Sequence, residues 1–254
     1  MDEKVNPNNA CIVSFFMDNL DIKTVHKHAE TVKKFNKSKV PHYHINTPMH
    51  HGASMDYIWH MMGLKHKTFG EQILAKNFDH DIVFFLDVDA LPLNDWVIDE
   101  YIAQASRGKL IGNIQRSNHI ENNQHVFAAP SAVALSVDTF LSLGKPSAIP
   151  NQRSDVGEEY TWAAEKAGVP IILHMPLRFD APPAECPSWA LKDKMPVYGR
   201  GTTFGGNWWD GTEVIALDSP SDMIWHNFQS FHPNQQERFI AKCDELLKED
   251  YNGK

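Results

Sequence analysis

The run Ile82-Val83-Phe84-Phe85-Leu86 narrows the fold more than any other feature, and it passes directly into Asp87-Val88-Asp89 and Ala90-Leu91-Pro92-Leu93. Successive apolar residues leave no polar face, so the segment predicts a strand covered on both sides, as in a parallel sheet. Two earlier segments have the same character. Ala10-Cys11-Ile12-Val13-Ser14-Phe15-Phe16 is nearly continuous apolar and ends in Met17-Asp18-Asn19. The second segment, at 40–46, is Val-Pro-His-Tyr-His-Ile-Asn, with Pro41 confined to the strand's start. Between them, Val25, Ala29, Val32 and Phe35 fall on one face of a helix over 21–36. Helices are also expected at 54–64 and 68–78. The resulting order, β-α-β-α-β, implies a parallel sheet with right-handed crossovers.

Downstream, Asp95 is placed to cap a helix over 96–106. Strands are expected at 109–114, 125–129, 132–137 and 170–174, with a helix at 157–168. Residues 176–212 are rich in Pro, Gly and Trp and show little periodicity. They read as a long, functional loop. The chain closes with an amphipathic helix over 235–250 that turns Phe239, Ile240, Cys243, Leu246 and Leu247 inward. No internal repeat or linker interrupts residues 1–254, so a single domain is expected.

With 254 residues and 42% hydrophobic content, the chain can bury roughly 70–75% of its unfolded surface without staples. The cysteines Cys11, Cys186 and Cys243 are odd in number, far apart and without metal-type spacing, which reads as reduced thiols of a cytosolic protein. The polar start lacks a signal peptide's apolar run, and nothing approaches the roughly 20 apolar residues of a membrane span. An intracellular, cytoplasmic protein is therefore expected. A net charge of −8 argues against a broad phosphate-binding surface and disfavours DNA as a partner. Fourteen histidines are present, several of them at His42, His44, His50, His51, His60 and His66. None has a zinc spacing, so most of them read as surface or packing residues.

Residues two apart on a strand share a face, so Asp87 and Asp89 are expected to point the same way where the strand ends. Ligands of open parallel sheets bind beyond the carboxyl ends of the strands. Two carboxylates there repel one another unless a cation neutralises them, and a hard ion such as Mg²⁺ or Mn²⁺ can bridge them to a diphosphate.

The stretch Phe84-Phe85-Leu86-Asp87-Val88-Asp89-Ala90-Leu91-Pro92 resembles the Asp-x-Asp segment of GT-A fold glycosyltransferases, and the order of elements matches that fold over most of the chain. The resemblance implies an α/β, Rossmann-like fold with a mixed, mainly parallel central sheet flanked by helices. It implies a nucleotide-sugar-binding half at about 10–114, then an acceptor-side half with the C-terminal helix at about 115–254. The implied activity is that of a hexosyl- or pentosyltransferase, with Mn²⁺ or Mg²⁺ as cofactor. The donor would be a nucleotide-diphosphate sugar, a UDP-sugar foremost, and the acceptor a hydroxyl of unspecified class. Asp87 would reach the ribose or the metal through water, and Asp89 would be the stronger metal ligand.

The same resemblance points to further residues. His226, in Met223-Ile224-Trp225-His226-Asn227-Phe228, suits a third metal ligand, with His232 the weaker choice. Phe15, Phe16, Asp18 and Asn19 lie at the end of the first strand, where the base is held, and Asn46 and Thr47 at the end of the second. Lys76 and Arg116 are candidate phosphate partners. The acidic segment Ser154-Asp155-Val156-Gly157-Glu158-Glu159 offers Asp155, Glu158 and Glu159 to take the acceptor hydroxyl's proton. The same segment also reads as a helix cap, with Asp155 as N-cap and Glu158 closing a capping box. Residues 199–211 resemble a lid or acceptor platform, in which Trp208 and Trp209 can stack on a sugar or base.

Two rivals stand beside this reading. A haloacid-dehalogenase-type phosphatase also has an apolar strand before Asp-x-Asp and would use Asp87 as nucleophile. That family places the motif near its N-terminus with Thr or Val after the second Asp, whereas here about 80 residues precede it and Ala-Leu follows. A non-catalytic nucleotide-sugar-binding module is the other.

Overall fold

In a computed structural model of the protein, the described residues are 9–63, 80–117, 125–180, 191–192, 195–196, 200–209, 214–215, 221–228 and 232–248. Strand β1 (Ala10–Phe16), helix α1 (Ile22–Phe35), β2 (His42–Asn46), α2 (His51–Gly63) and β3 (Ile82–Leu86) form the first half. Both neighbours of β1 run parallel to it, with Ile12 level with His42 and with Phe84. This is the β-α-β-α-β layout expected from the apolar runs. Lys76 and the helix expected at 68–78 lie outside the described residues.

The second half comprises β4 (Ala90–Pro92), α3 (Val97–Ser106), β5 (Leu110–Arg116), β6 (Val126–Ser136), α4 (Val137–Ser142), α5 (Glu158–Ala167) and β7 (Ile171–Phe179). These are followed by β8 (Leu191–Lys192), β9 (Met195–Pro196), β10 (Thr202–Trp209), β11 (Val214–Ile215), β12 (Asp222–His226) and α6 (Pro233–Leu246). The main sheet has the order β2-β1-β3-β6-β5-β7-β10-β12-β4, with β11 on β10 and β8–β9 as a separate ribbon. It is a mixed α/β sheet, as the GT-A resemblance implies, but it is not mainly parallel. Only β1–β2, β1–β3 and β5–β7 pair in parallel, and every other pairing among the described residues is antiparallel.

Several local expectations change. The strands expected at 125–129 and 132–137 are one strand, β6, which carries Pro130 where its pairing with β5 shifts register near Gly112 and Asn113. Asp95 does not cap α3, whose N-cap is Trp96 with no side-chain hydrogen bond. Part of the expected loop at 176–212 is sheet instead: β7 runs on to Phe179, and β10 lies between β7 and β12. Glycine in β10 serves close approach rather than motion, since a Cβ on Gly205 would lie 2.1 Å from Cδ1 of Leu177. Residues 202–209 are thus a central strand and not a lid.

The strand order forces the sheet to curl. β3 and β4 are six places apart, about 29 Å in a flat sheet at about 4.8 Å per strand. Yet the chain passes from Leu86 to Ala90 in four steps, which reach at most about 14 Å. The far edge must therefore fold back until β12 and β4 stand beside the end of β3. Cys11 and Cys243 are free and buried, and burial pushes both thiols up to about 12. No helix among the described residues is long and apolar enough to cross a membrane.

Candidate metal centre

The curl brings two remote segments together. After β3 the chain turns tightly, the Ala90 amide donating to the Asp87 carbonyl at 2.9 Å. The Asp87 amide donates to Ser131 of β6 at 3.1 Å, and the Asn227 amide donates to the Asp89 carbonyl at 2.9 Å. Asp87 and Asp89 therefore converge through a turn pinned on both sides, not through strand alternation. On β12, His226 is level with Ala90, which sets its ring beside the turn.

His226 Nε2 lies 3.2 Å from Asp89 Oδ1 and 3.7 Å from Asp87 Oδ2. One ligand atom from each of Asp87, Asp89 and His226 fits within a 4.8 Å span. His226 is 1% exposed and Asp89 9%, so Asp89 is a buried acid rather than an exposed strand-end one. His51, the first residue of α2, approaches from the other side, with Nε2 3.3 Å from Asp87 Oδ1. No sequence pattern points to this role for His51, which reads there as a surface or packing residue.

The electrostatics agree with the geometry. Burial raises the Asp87 pKa and the charge of Asp89 raises it further, against opposing pulls from His51 and His226. Burial works against a proton on His226, but the Asp89 and Asp87 charges and the Asp89 hydrogen bond outweigh it, and its pKa is raised. Two crowded carboxylates thus favour positive charge on the His226 imidazole. Two hard oxygens and one imidazole nitrogen form a donor set that fits Mn²⁺ or Mg²⁺.

Of the expected nucleotide residues, those of β1 and β2 lie at the carboxyl ends of these strands. Phe15, the last residue but one of β1, is stacked on Phe85 at 6.1 Å and edge-on to His51 at 5.8 Å. Asp18 and Asn19 are exposed in the turn after β1, and Asn46 Nδ2 donates to Asp18 Oδ1 at 2.6 Å. Phe16 is half-buried at the end of β1, while Thr47 is buried and its hydroxyl serves the Met49 amide and Ser54. Arg116 ends β5, which like β3 runs antiparallel to β6. It stands on the same edge, two strands away. His232 is the N-cap of α6 and is not part of the carboxylate cluster. The side chains of Trp208 and Trp209 lie outside the described residues.

The acidic segment divides. Glu158 is fully buried, and its carboxylate accepts from Ser117 Oγ at 2.8 Å, His125 Nδ1 at 2.6 Å and the Asp155 amide at 2.7 Å. Glu159 is held by Arg153, Ser154 and Asn151, and chiefly the Arg153 hydrogen bond lowers its pKa to about 2. Glu158 closes onto the Asp155 amide as a capping box does, but the N-cap of α5 is Gly157, at φ 74°. The half-buried Asp155 receives the Val156 amide at 2.7 Å and Gln115 Nε2 at 3.4 Å, the latter from β5.

No protein-family model and no curated protein matches the chain. Among solved structures it is similar to the catalytic domain of Drosophila beta-1,4-galactosyltransferase 7 in complex with xylobiose. The identity is 17% over 68% of this chain and 66% of that one, just under two thirds, with a TM-score of 0.42. A mutant of that Drosophila enzyme in complex with manganese, UDP-Gal and xylobiose gives 16% identity over 68% and 67% of the two chains, TM-score 0.40. A nucleotide-diphospho-sugar transferase from Desulfovibrio desulfuricans gives 9% identity over 66% and 80%, TM-score 0.39. At scores this low the likeness assigns no residue and no activity. What the site can do follows from its own atoms.

Proposed function

We propose that this protein is a metal-dependent glycosyltransferase that moves a sugar from a nucleotide-diphosphate donor, a UDP-sugar foremost, to a hydroxyl acceptor. The observation that carries the reading is the meeting of Asp87, Asp89 and His226 within 4.8 Å, from segments more than a hundred residues apart in the chain. In this reading Asp89 and His226 are direct metal ligands, Asp87 reaches the metal or the ribose, and His51 orients Asp87. The mixed oxygen and nitrogen set favours Mn²⁺ over Mg²⁺. A bound ion supplies Lewis-acid stabilisation of the leaving diphosphate. Phe15, Asp18, Asn19 and Asn46 hold the nucleoside, and Arg116 and Lys76 offset phosphate charge.

Of the three acids, Asp155 is the one we assign to the acceptor hydroxyl's proton. Glu158 and Glu159 already spend their lone pairs on buried hydroxyl, imidazole, amide and guanidinium donors. Asp155 instead bonds to Gln115 of β5, next to Arg116, and so lies toward the edge where the donor is proposed to bind.

A screen of nucleotide-sugars for Mn²⁺-dependent hydrolysis or transfer tests the proposal, with stabilisation of the fold by UDP as a companion readout. Turnover of one nucleotide-sugar that stops on chelation is the expected result. Metal-dependent hydrolysis of a generic aryl phosphate, with no response to nucleotide-sugars, would overturn the proposal in favour of a phosphatase. UDP binding without turnover of any donor would leave a binding module.

A further inference from the structure

A second cluster of ligating groups lies against α1, separate from the carboxylate site. His28 from α1 and His42 and His44 from β2 each offer one ring nitrogen, and the three nitrogens lie within 4.8 Å of one another. The pleat puts His42 and His44 on one face of β2, and α1 lays His28 across them. The rings touch, with centroids 5.4 Å apart for His28–His42, 5.1 Å for His28–His44 and 4.0 Å for His42–His44. His28 is fully buried, while His42 and His44 are half-buried and leave a route to solvent.

The hydrogen bonds fix which atoms are available. His28 Nε2 is 3.0 Å from the Ala90 carbonyl, which can only accept, so this nitrogen carries the proton. His28 Nδ1 then presents a lone pair toward His44 Nε2 at 2.9 Å. A ring nitrogen tied to a backbone carbonyl, with the other aimed at a cluster of imidazoles, is the second-sphere arrangement that orients a metal-bound histidine. His42 Nε2 is anchored at 2.9 Å by the buried Ser14 hydroxyl. In a tetrahedral site with bonds of about 2.0 Å, ligand nitrogens stand about 3.3 Å apart, so the His28–His44 contact needs to open by only about 0.4 Å. Burial, with neighbouring imidazole charge, lowers His28 to about 3 and His44 to about 4, and places His42 well below 6.5. All three rings are therefore neutral, and metal binding needs no net loss of a proton: the one His44 Nε2 donates to His28 Nδ1 shifts to His44 Nδ1 as the ring changes tautomer.

We propose that His28, His42 and His44 form a site for an imidazole-preferring divalent ion, Zn²⁺ foremost, with an open fourth position, tying α1 to β2. Three nitrogens and no carboxylate separate its preference from that of the Asp87–Asp89–His226 set, which suits harder ions. The inference does not depend on the glycosyltransferase reading.

The test loads chelator-treated full-length protein with one equivalent of Co²⁺ or Zn²⁺. Co²⁺ should give the strong visible absorption of a four-coordinate ion. That absorption should persist in Asp89→Ala and vanish in His44→Ala and in His42→Ala, with folding of each variant checked by circular dichroism. Absorption that persists in both histidine variants, or disappears in Asp89→Ala, would overturn the site. X-ray absorption at the zinc edge of the unmodified protein decides the matter even if the histidine variants fail to fold. Three imidazole nitrogens at about 2.0 Å are expected. A mainly oxygen shell, or no retained zinc, would refute the proposal.

Discussion

Two groups of acids looked alike in the sequence and differ in the fold. Asp87 and Asp89 share a turn with a buried histidine between them, and the charge of each raises the proton affinity of its neighbours. Glu158 and Glu159, at the start of α5, are surrounded by donors, and Glu159 titrates far below its usual range. The contrast teaches that a cluster of carboxylates is a candidate cation site when its charges are crowded. When every oxygen already has a donor, the cluster is part of the scaffold. The acids of the turn have charge left for a ligand to neutralise.

The largest effect that could break this comparison is on turnover. Asp89→Ala should lower metal-dependent sugar transfer at least a hundredfold, about 3 kcal/mol in the barrier, because a direct ligand is lost. The fold should be retained, since losing the His226 contact is offset by relief of repulsion with Asp87. Undiminished transfer in steady-state assays would remove Asp89 from the metal.

Glu158→Ala should act in the opposite way. It removes the acceptor of three buried or half-buried donors and should cost about 3 kcal/mol of stability in urea unfolding. Transfer by the protein that remains folded should be close to normal. Full stability with abolished turnover would move Glu158 from scaffold to chemistry.

The smallest effect is a pH dependence. Glu159 is depressed to about 2 from an ordinary value of 4.5, so its contribution is present above 4.5 and fades as pH falls toward 2. Arg153 is 62% exposed, and solvent screening limits that contribution to about 1 kcal/mol. Glu159→Gln should therefore be less stable than the parent at pH 6, with the gap narrowing between pH 4.5 and pH 3. A gap that stays constant over that range would deny the ion pair.

The legible part of the fold was the part whose physics is local. Strands β1 and β3 are buried on both faces and must be apolar throughout, so residues 10–16 and 82–86 stand out in any reading. The antiparallel second half was harder to read. β10 has Gly205 within it, where Leu177 occupies the space a side chain would take. β4 is only three residues long and exists because β12 returns to meet it, a contact that no local pattern encodes. His226 was identified through family resemblance rather than through spacing. His51 and the His28–His42–His44 group could not be found, because tertiary packing alone brings their rings together.

Manganese binding at the turn tests the central claim most directly. Electron paramagnetic resonance of free Mn²⁺, titrated into protein with UDP, should show one ion taken up per chain in the parent. That uptake should be lost in Asp89→Ala and in His226→Ala, with both variants still folded. Equal uptake by the parent and both variants would contradict the account, because the ion would then be held somewhere other than between Asp87, Asp89 and His226.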